Sequence, residues 1–262
     1  MLALIAGEGK LPAVLVDNLS DLPYIAAMEG YPPDFLTPDR VFRIEHLGTL
    51  LEEFKALGVT DVCFAGSIRR PAIDPAQVDA ATMPLVPRMM AALSKGDDGA
   101  LREVLTVFSE AGFNIRAANE FAAALLPVAG VFTSRRTDTQ HAADAVRAAE
   151  VVAHLGPLDI GQSCVVHRGR VLAIEGQFGT DWMLRSLRDR PDEDGGIFYK
   201  APKPGQDRRI DLPVVGVDTI AAAHKARLEG VVVEEDGVMV LDLAAVERAA
   251  DEMGLFFWVR RP

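Results

Sequence analysis

LALIAGEGKLP, residues 2–12, opens the chain and decides its class. Leu2–Ala6 is an apolar run of strand length, Gly7-Glu8-Gly9 a tight turn, and Leu11-Pro12 a helix start, with Pro12 suited to a first helical turn. Outward from it the same unit recurs. Residues 22–28 predict a second strand. Residues 46–57 put Leu47, Leu50, Leu51, Phe54 and Leu57 at helical spacing and stop at Gly58. Asp61–Ala65 predicts a buried strand, followed by Gly66. Residues 85–93 and 101–111 predict helices on either side of Lys95-Gly96-Asp97-Asp98-Gly99, and 114–118 a further strand. A strand–helix–strand rhythm of this kind predicts an α/β fold with a Rossmann-like parallel sheet at the N-terminus.

Residues 126–140 break the rhythm with Pro127, Gly130, Thr133, Ser134 and Thr137. The expected division is a domain over 1–130, a linker over 131–140 and a second domain over 141–262. The second half predicts a helix over 142–155, a hairpin of Ser163–His167 with 171–175 around Arg168-Gly169, a helix over 181–187 and a strand at Ile197–Lys200. After the polar loop 201–211 come a helix over 219–228 with Asp218 as its N-cap and a hairpin of 231–235 with 238–241 around Asp236-Gly237. A helix over 243–253, capped by Asp242, and a strand over 255–259 close the chain. This domain is expected to be α+β with a mixed sheet.

Composition narrows the function. The 262 residues are 49% hydrophobic and 25% charged, which excludes a disordered or fibrous chain. The formal charge of -11 and the 6% aromatic content disfavour nucleic acid as a partner. They leave an anionic substrate open, since a few basic side chains set the field of a cleft. Cys63 and Cys164 lie in apolar runs and are expected as buried thiols in a reducing compartment. No Cys or His spacing suits a metal, and the five histidines make no ligand motif or catalytic triad. Met1 runs into a strand with no basic leader, and no apolar stretch reaches the ~20 residues of a membrane span. The expected location is cytoplasmic, at most peripheral to a membrane.

Five segments carry candidate chemistry. Gly7 and Gly9 let a phosphate or sugar approach the backbone, although Pro12 stands where a dinucleotide fingerprint has its third glycine. Ser67, Arg69 and Arg70 follow a buried strand, where two guanidinium groups suit a diphosphate. Asp97 and Asp98 are suited to a hard cation, and more simply to a helix N-terminus. The densest segment is Lys200-Ala201-Pro202-Lys203-Pro204-Gly205-Gln206-Asp207-Arg208-Arg209-Ile210-Asp211, then Asp218 and Thr219; carboxylates and cations this close suit metal-assisted phosphoryl chemistry. Thr180 or Asp181 is suited to cap the following helix or to face the same substrate, and Gly161-Gln162 at the start of the hairpin is a similar small-polar turn. The methionine-rich stretch 83–90 is expected in the core, with lining an apolar ligand as its other use.

At the last segments the pattern becomes specific. KAPKPGQDRRIDLPVVGVDT, with GQSCVV and GTDWM before it, resembles the LpxI family of UDP-2,3-diacylglucosamine pyrophosphatases. IAGEGKLP, FAGSIRRP, KGDD and LEGVVVEEDGVMVLD extend the resemblance in order along essentially the whole chain. It implies a Mg²⁺-dependent hydrolase of lipid A synthesis that splits UDP-2,3-diacylglucosamine into 2,3-diacylglucosamine 1-phosphate (lipid X) and UMP. It also implies two domains holding the lipid nucleotide between them, a homodimer, and peripheral contact with the cytoplasmic face of the inner membrane.

On that footing Asp211 and Asp207 are expected to hold Mg²⁺ or orient water, with Asp218, Asp181 and Gln206 as further catalytic candidates. Lys200, Lys203 and Arg209 would neutralise the diphosphate, and Gln162, Thr180 and Thr219 would bind substrate with Gly7, Gly9, Ser67, Arg69 and Arg70. The acyl chains would lie on apolar surface near Met89 and Met90. Phe178 stands where the family pattern has an acid, so a metal carboxylate at that place would pass to Glu175 or another acid. The rival classes are a Rossmann-type nucleotide-sugar or NAD(P)-binding oxidoreductase using Gly7 to Pro12, and a non-catalytic lipid or nucleotide carrier.

Overall fold

Leu2–Ala6 (β1) forms a strand with four of its five residues buried, as a run apolar on both faces does inside a parallel sheet. The computed structural model describes residues 1–69, 72–93, 97–191 and 194–262. The expectations at Arg70, Pro71, Lys95 and Gly96 therefore lie outside the described residues, as do the side chains of Asp97 and Asp98.

After β1 come α1 (Leu11–Asp17), β2 (Tyr24–Met28), β3 (Arg40–Phe42), α2 (Leu47–Ala56) and β4 (Asp61–Ala65). Then follow α3 (Val86–Leu93), α4 (Asp97–Glu110), β5 (Asn114–Arg116) and α5 (Ala118–Phe121). Among the described residues the sheet has the order β3-β2-β1-β4-β5, and every pairing is parallel. The order reverses between β1 and β4, which makes that boundary the topological switch point of a Rossmann-like sheet. The α2 stripe Leu47, Leu50, Leu51 and Phe54 packs with Ile5, Val62, Leu105, Phe108 and Phe113. Gly58, at φ +73°, ends that helix as a left-handed glycine does. Met83 and Met90 are exposed rather than in the core, while Ala92 of α3 is buried.

The second part contains β6 (Gly130–Val131), α6 (Thr139–Leu155), β7 (Ser163–His167), β8 (Arg170–Ile174), α7 (Gly179–Ser186), β9 (Ile197–Lys200) and β10 (Val214–Val215). It continues through α8 (Val217–Lys225), β11 (Gly230–Glu234), β12 (Met239–Val240), α9 (Leu243–Glu252) and β13 (Phe256–Arg260). Its larger sheet runs β6-β13-β11-β9-β7-β8. The centre β9-β11-β13 is parallel and the flanks are antiparallel, so the sheet is mixed. Met183 and Leu184 of α7, Ile220 of α8 and Val246 of α9 cover one face; Ala145, Ala148 and Val152 of α6 cover the other.

Two local expectations change. The hairpin around Asp236-Gly237 does not form: β11 is already flanked by β9 and β13, so neither edge is left for a partner. β12 instead pairs in parallel with β10, at Val214↔Met239 and Val215↔Val240. The helix expected over 219–228 begins at Val217, with extended Gly216 at its cap and the Thr219 hydroxyl accepting the Gly216 N–H at 3.4 Å. Asp218 therefore lies inside the first turn, where the helix dipole favours an acid.

By contacts the chain divides into one unit of Met1–Ala123 with Asp207–Asp211, and a second of Ala124–Gln206 with Leu212–Pro262. Both cysteines are buried, and burial pushes each thiol up to about 12. No helix among the described residues is long and apolar enough to cross a membrane.

Candidate functional site

Candidate groups fall in both units. In the first, the loops after β1 and β4 leave the carboxyl ends of the two strands at the switch point, where open α/β sheets bind ligands. The loops are joined to each other. Gly7 N–H donates to the Ala65 carbonyl at 2.8 Å, and Glu8 and Ser67 exchange backbone bonds of 2.9 Å in each direction. A Cβ on Gly7 would strike the Ser67 carbonyl, and one on Gly66 the backbone of Gly7 and Glu8. Gly7 is thus required by loop packing. Gly9 differs: it stands at φ +97° with open space around it. Ser67 is exposed, and Arg69, with 80% of its side chain exposed, lies 4.0 Å from Glu8.

The segment Asp207–Asp211 belongs to the same unit, with Ile210 packed against that unit's core. Arg209 grips Asp207 at both oxygens, Nε to Oδ1 at 3.0 Å and Nη2 to Oδ2 at 2.6 Å. That guanidinium holds the Asp207 carboxyl below its ordinary value of 3.8. The Asp211 N–H donates to the Asp207 carbonyl at 3.1 Å. One turn of backbone therefore separates the two aspartates along the chain. Among the described residues no three His, Cys, Asp or Glu side chains gather as a metal site. The aspartate pair fits a different mode: Mg²⁺ commonly takes one or two carboxylates and fills its shell with phosphate oxygens and water.

The second unit holds a buried polar set around β7, β9 and the start of α7. Lys200 ends β9, and Ser163 is its cross-strand partner on β7. Glu175, just beyond β8, accepts the Gln162 N–H (3.2 Å) and the Ser163 hydroxyl (2.9 Å) at Oε2, and the Thr180 hydroxyl (2.8 Å) at Oε1. Lys200 Nζ donates to Thr180 Oγ1 at 2.9 Å. Ser163, Glu175 and Lys200 are 0%, 8% and 7% exposed, so this is a dry site in which charge is costly unless paired. Gly161 is a glycine because a Cβ there would strike the Glu175 backbone.

The adjoining loop is tied down separately. Gln206 accepts the Lys203 N–H at 2.8 Å and donates to Gln162 Oε1 at 3.4 Å. Lys203 Nζ lies 2.5 Å from Asp159 Oδ1. Asp181 and Asp218 are exposed in the first turns of α7 and α8. Phe178, the N-cap of α7, and Trp182 in its first turns form an exposed ring pair with centroids 5.3 Å apart.

Of the sequence candidates, Gln162, Thr180, Lys200, Lys203 and Gln206 thus share one network or adjoin it. Asp207, Arg209 and Asp211 share one turn, and Gly7 and Ser67 one loop junction. Ser163 was missed as a site residue, and Glu175 appeared only as a substitute metal ligand. The signal for Glu175 was an acid closing a strand-like run directly before Gly176 and Gly179; Ser163, inside an apolar run, gave none.

Together these features define a two-domain α/β protein with a parallel N-terminal sheet and a mixed C-terminal sheet. The model of the LpxI N-terminal domain matches residues 1–125, and that of the LpxI C-terminal domain residues 128–258. The chain belongs to the LpxI family. A relative from Caulobacter vibrioides, named UDP-2,3-diacylglucosamine pyrophosphatase LpxI, is 38% identical over an alignment covering 97% of this chain and 95% of its own. By that name the relative is a hydrolase of a diphosphate.

Proposed function

We propose that this chain hydrolyses the diphosphate of UDP-2,3-diacylglucosamine, releasing UMP and 2,3-diacylglucosamine 1-phosphate for lipid A synthesis. The observation that carries the reading is the Caulobacter relative's identity along nearly the full length of both chains. The buried Lys200 set supports it, because a cation held in a dry site neutralises phosphate oxygens more strongly than one in water.

Water adds across the P–O–P bridge, and the two phosphates part as separate monoesters. Lys200 and Arg209 offset the charge of the diphosphate. Gln162 is a further hydrogen-bonding group for it, and the loops at Gly9 and Ser67 take the uridine end. Asp211, with Asp207, would hold Mg²⁺, which when bound neutralises phosphate charge and lowers the pKa of a bound water. The acyl chains make the substrate a membrane lipid, so the same reading has the protein in peripheral contact with the cytoplasmic face of a membrane, and the family resemblance adds a homodimer. The NAD(P) reading is weaker because loop packing already accounts for Gly7.

The test is UMP release by the wild type and by Asp211→Ala, each with Mg²⁺ and with a chelator. The expected result is activity in the wild type that the chelator abolishes, and at least about a hundredfold loss in Asp211→Ala, the size of a lost catalytic acid–base or charge-stabilising group. Near-normal activity of Asp211→Ala would remove that residue from the mechanism. Full activity with chelator would remove the metal.

A further inference from the structure

We propose that Glu175 and Thr180 are positioning residues, a relay that sets the Lys200 ammonium for the substrate's diphosphate; this role rests on the pyrophosphatase reading above. The direction of the relay follows from the donors. A threonine hydroxyl has one proton. Thr180 gives it to Glu175 Oε1, so its oxygen faces Lys200 Nζ as an acceptor. Glu175 is in turn held at its other oxygen by the Gln162 N–H and the Ser163 hydroxyl. Three elements are thereby fixed to one carboxylate: β7 through Ser163, the start of α7 through Thr180, and β9 through Thr180 and Lys200.

Two consequences follow for the chemistry. The Thr180 proton is committed to Glu175, so Thr180 is not a donor to the diphosphate; it acts through Lys200. Both Glu175 oxygens accept hydrogen bonds from the protein, so in this relay Glu175 acts as an orienting group.

A double-mutant cycle on UMP release separates this role from direct binding. Thr180→Val is expected to lower kcat about 10–100-fold, a hydrogen bond to a charged group expressed as a rate, with KM within about threefold. Thr180→Ser, which keeps the hydroxyl, is expected to recover most of that loss. In a Lys200→Met background Thr180→Val is expected to cost less than about twofold more, because residues acting as a unit are not additive. A full additional loss in that background would overturn the relay, as would wild-type kcat in Lys200→Met.

A ¹⁵N spectrum of the lysine side-chain ammonium groups tests the contact without substrate. The Lys200 signal should persist in the wild type and in Thr180→Ser and be lost in Thr180→Val and Glu175→Gln, all four being checked for a native melting transition. An unchanged Lys200 signal in Thr180→Val would overturn the relay. If the wild type releases no UMP while the spectra behave as expected, the pyrophosphatase reading fails and the relay stands as a structural one.

Discussion

Gly7 and Gly66 lack side chains because the backbone of the facing loop occupies the place that a Cβ would take. This contact joins the carboxyl ends of β1 and β4, so its loss is felt both in stability and at the loops that the reading assigns to uridine. Gly7→Ala is expected to destabilise the protein by about 1–3 kcal/mol, the usual cost of forcing extra atoms into a packed contact. Urea unfolding of the two proteins measures it, and an unchanged midpoint would mean that the loops separate freely. The cations differ in the contacts that hold them. Lys203 is tied to Asp159 and Arg209 to Asp207, whereas Lys200 is tied through a hydroxyl to a carboxylate. Three residues that look equivalent in a sequence are thereby given different mechanical roles.

At the scale of elements, capping decides where helices begin. Asp242 holds the first turn of α9, its carboxylate accepting the Ala245 N–H at 3.0 Å although its own backbone is left-handed, at φ +54°. Asp242→Ala is expected to cost about 1 kcal/mol, as the loss of an N-cap generally does, and thermal melting would register it. β1, β4 and β9 were legible to the residue, because an apolar run bounded by glycine or a polar loop has few alternative readings. The cap of α9 was legible from Asp242. β3, β6 and β10 were not: with two or three residues each they give periodicity little to register, whereas β12, a short strand inside a longer apolar run, showed itself. The false hairpin at Asp236-Gly237 shows the other limit. The turn signal is local, but the partner of β12 is chosen by which strand edges the rest of the sheet leaves open. The candidate site was legible as residue types, since loops rich in charge announce themselves. Its wiring through Glu175 and Ser163 was not, because a hydrogen bond across a sheet leaves no trace in sequence spacing.

For the whole molecule, the charge of -11 describes an average, and particular carboxylates are committed to partners. Asp207 is lowered by Arg209, Glu120 by Arg116, Asp61 by the Thr60 hydroxyl, and Asp138 by the His141 backbone N–H that it caps. A carboxyl whose folded pKa lies below its ordinary value stabilises the native state above that value and stops doing so as pH falls through the folded one. The melting temperature is therefore expected to hold down to the ordinary values of 4.5 for Glu and 3.8 for Asp and to fall steeply below them. A titration of melting temperature between about pH 7 and pH 2 checks this, and a flat acid limb would mean that these pairs contribute nothing to folding. The central claim is chemical, and mass spectrometry of one reaction tests it most directly. Purified protein incubated with UDP-2,3-diacylglucosamine and Mg²⁺ is expected to yield UMP and 2,3-diacylglucosamine 1-phosphate in equal amounts over many turnovers. Recovery of intact lipid nucleotide bound to the protein, or of UDP in place of UMP, would contradict it.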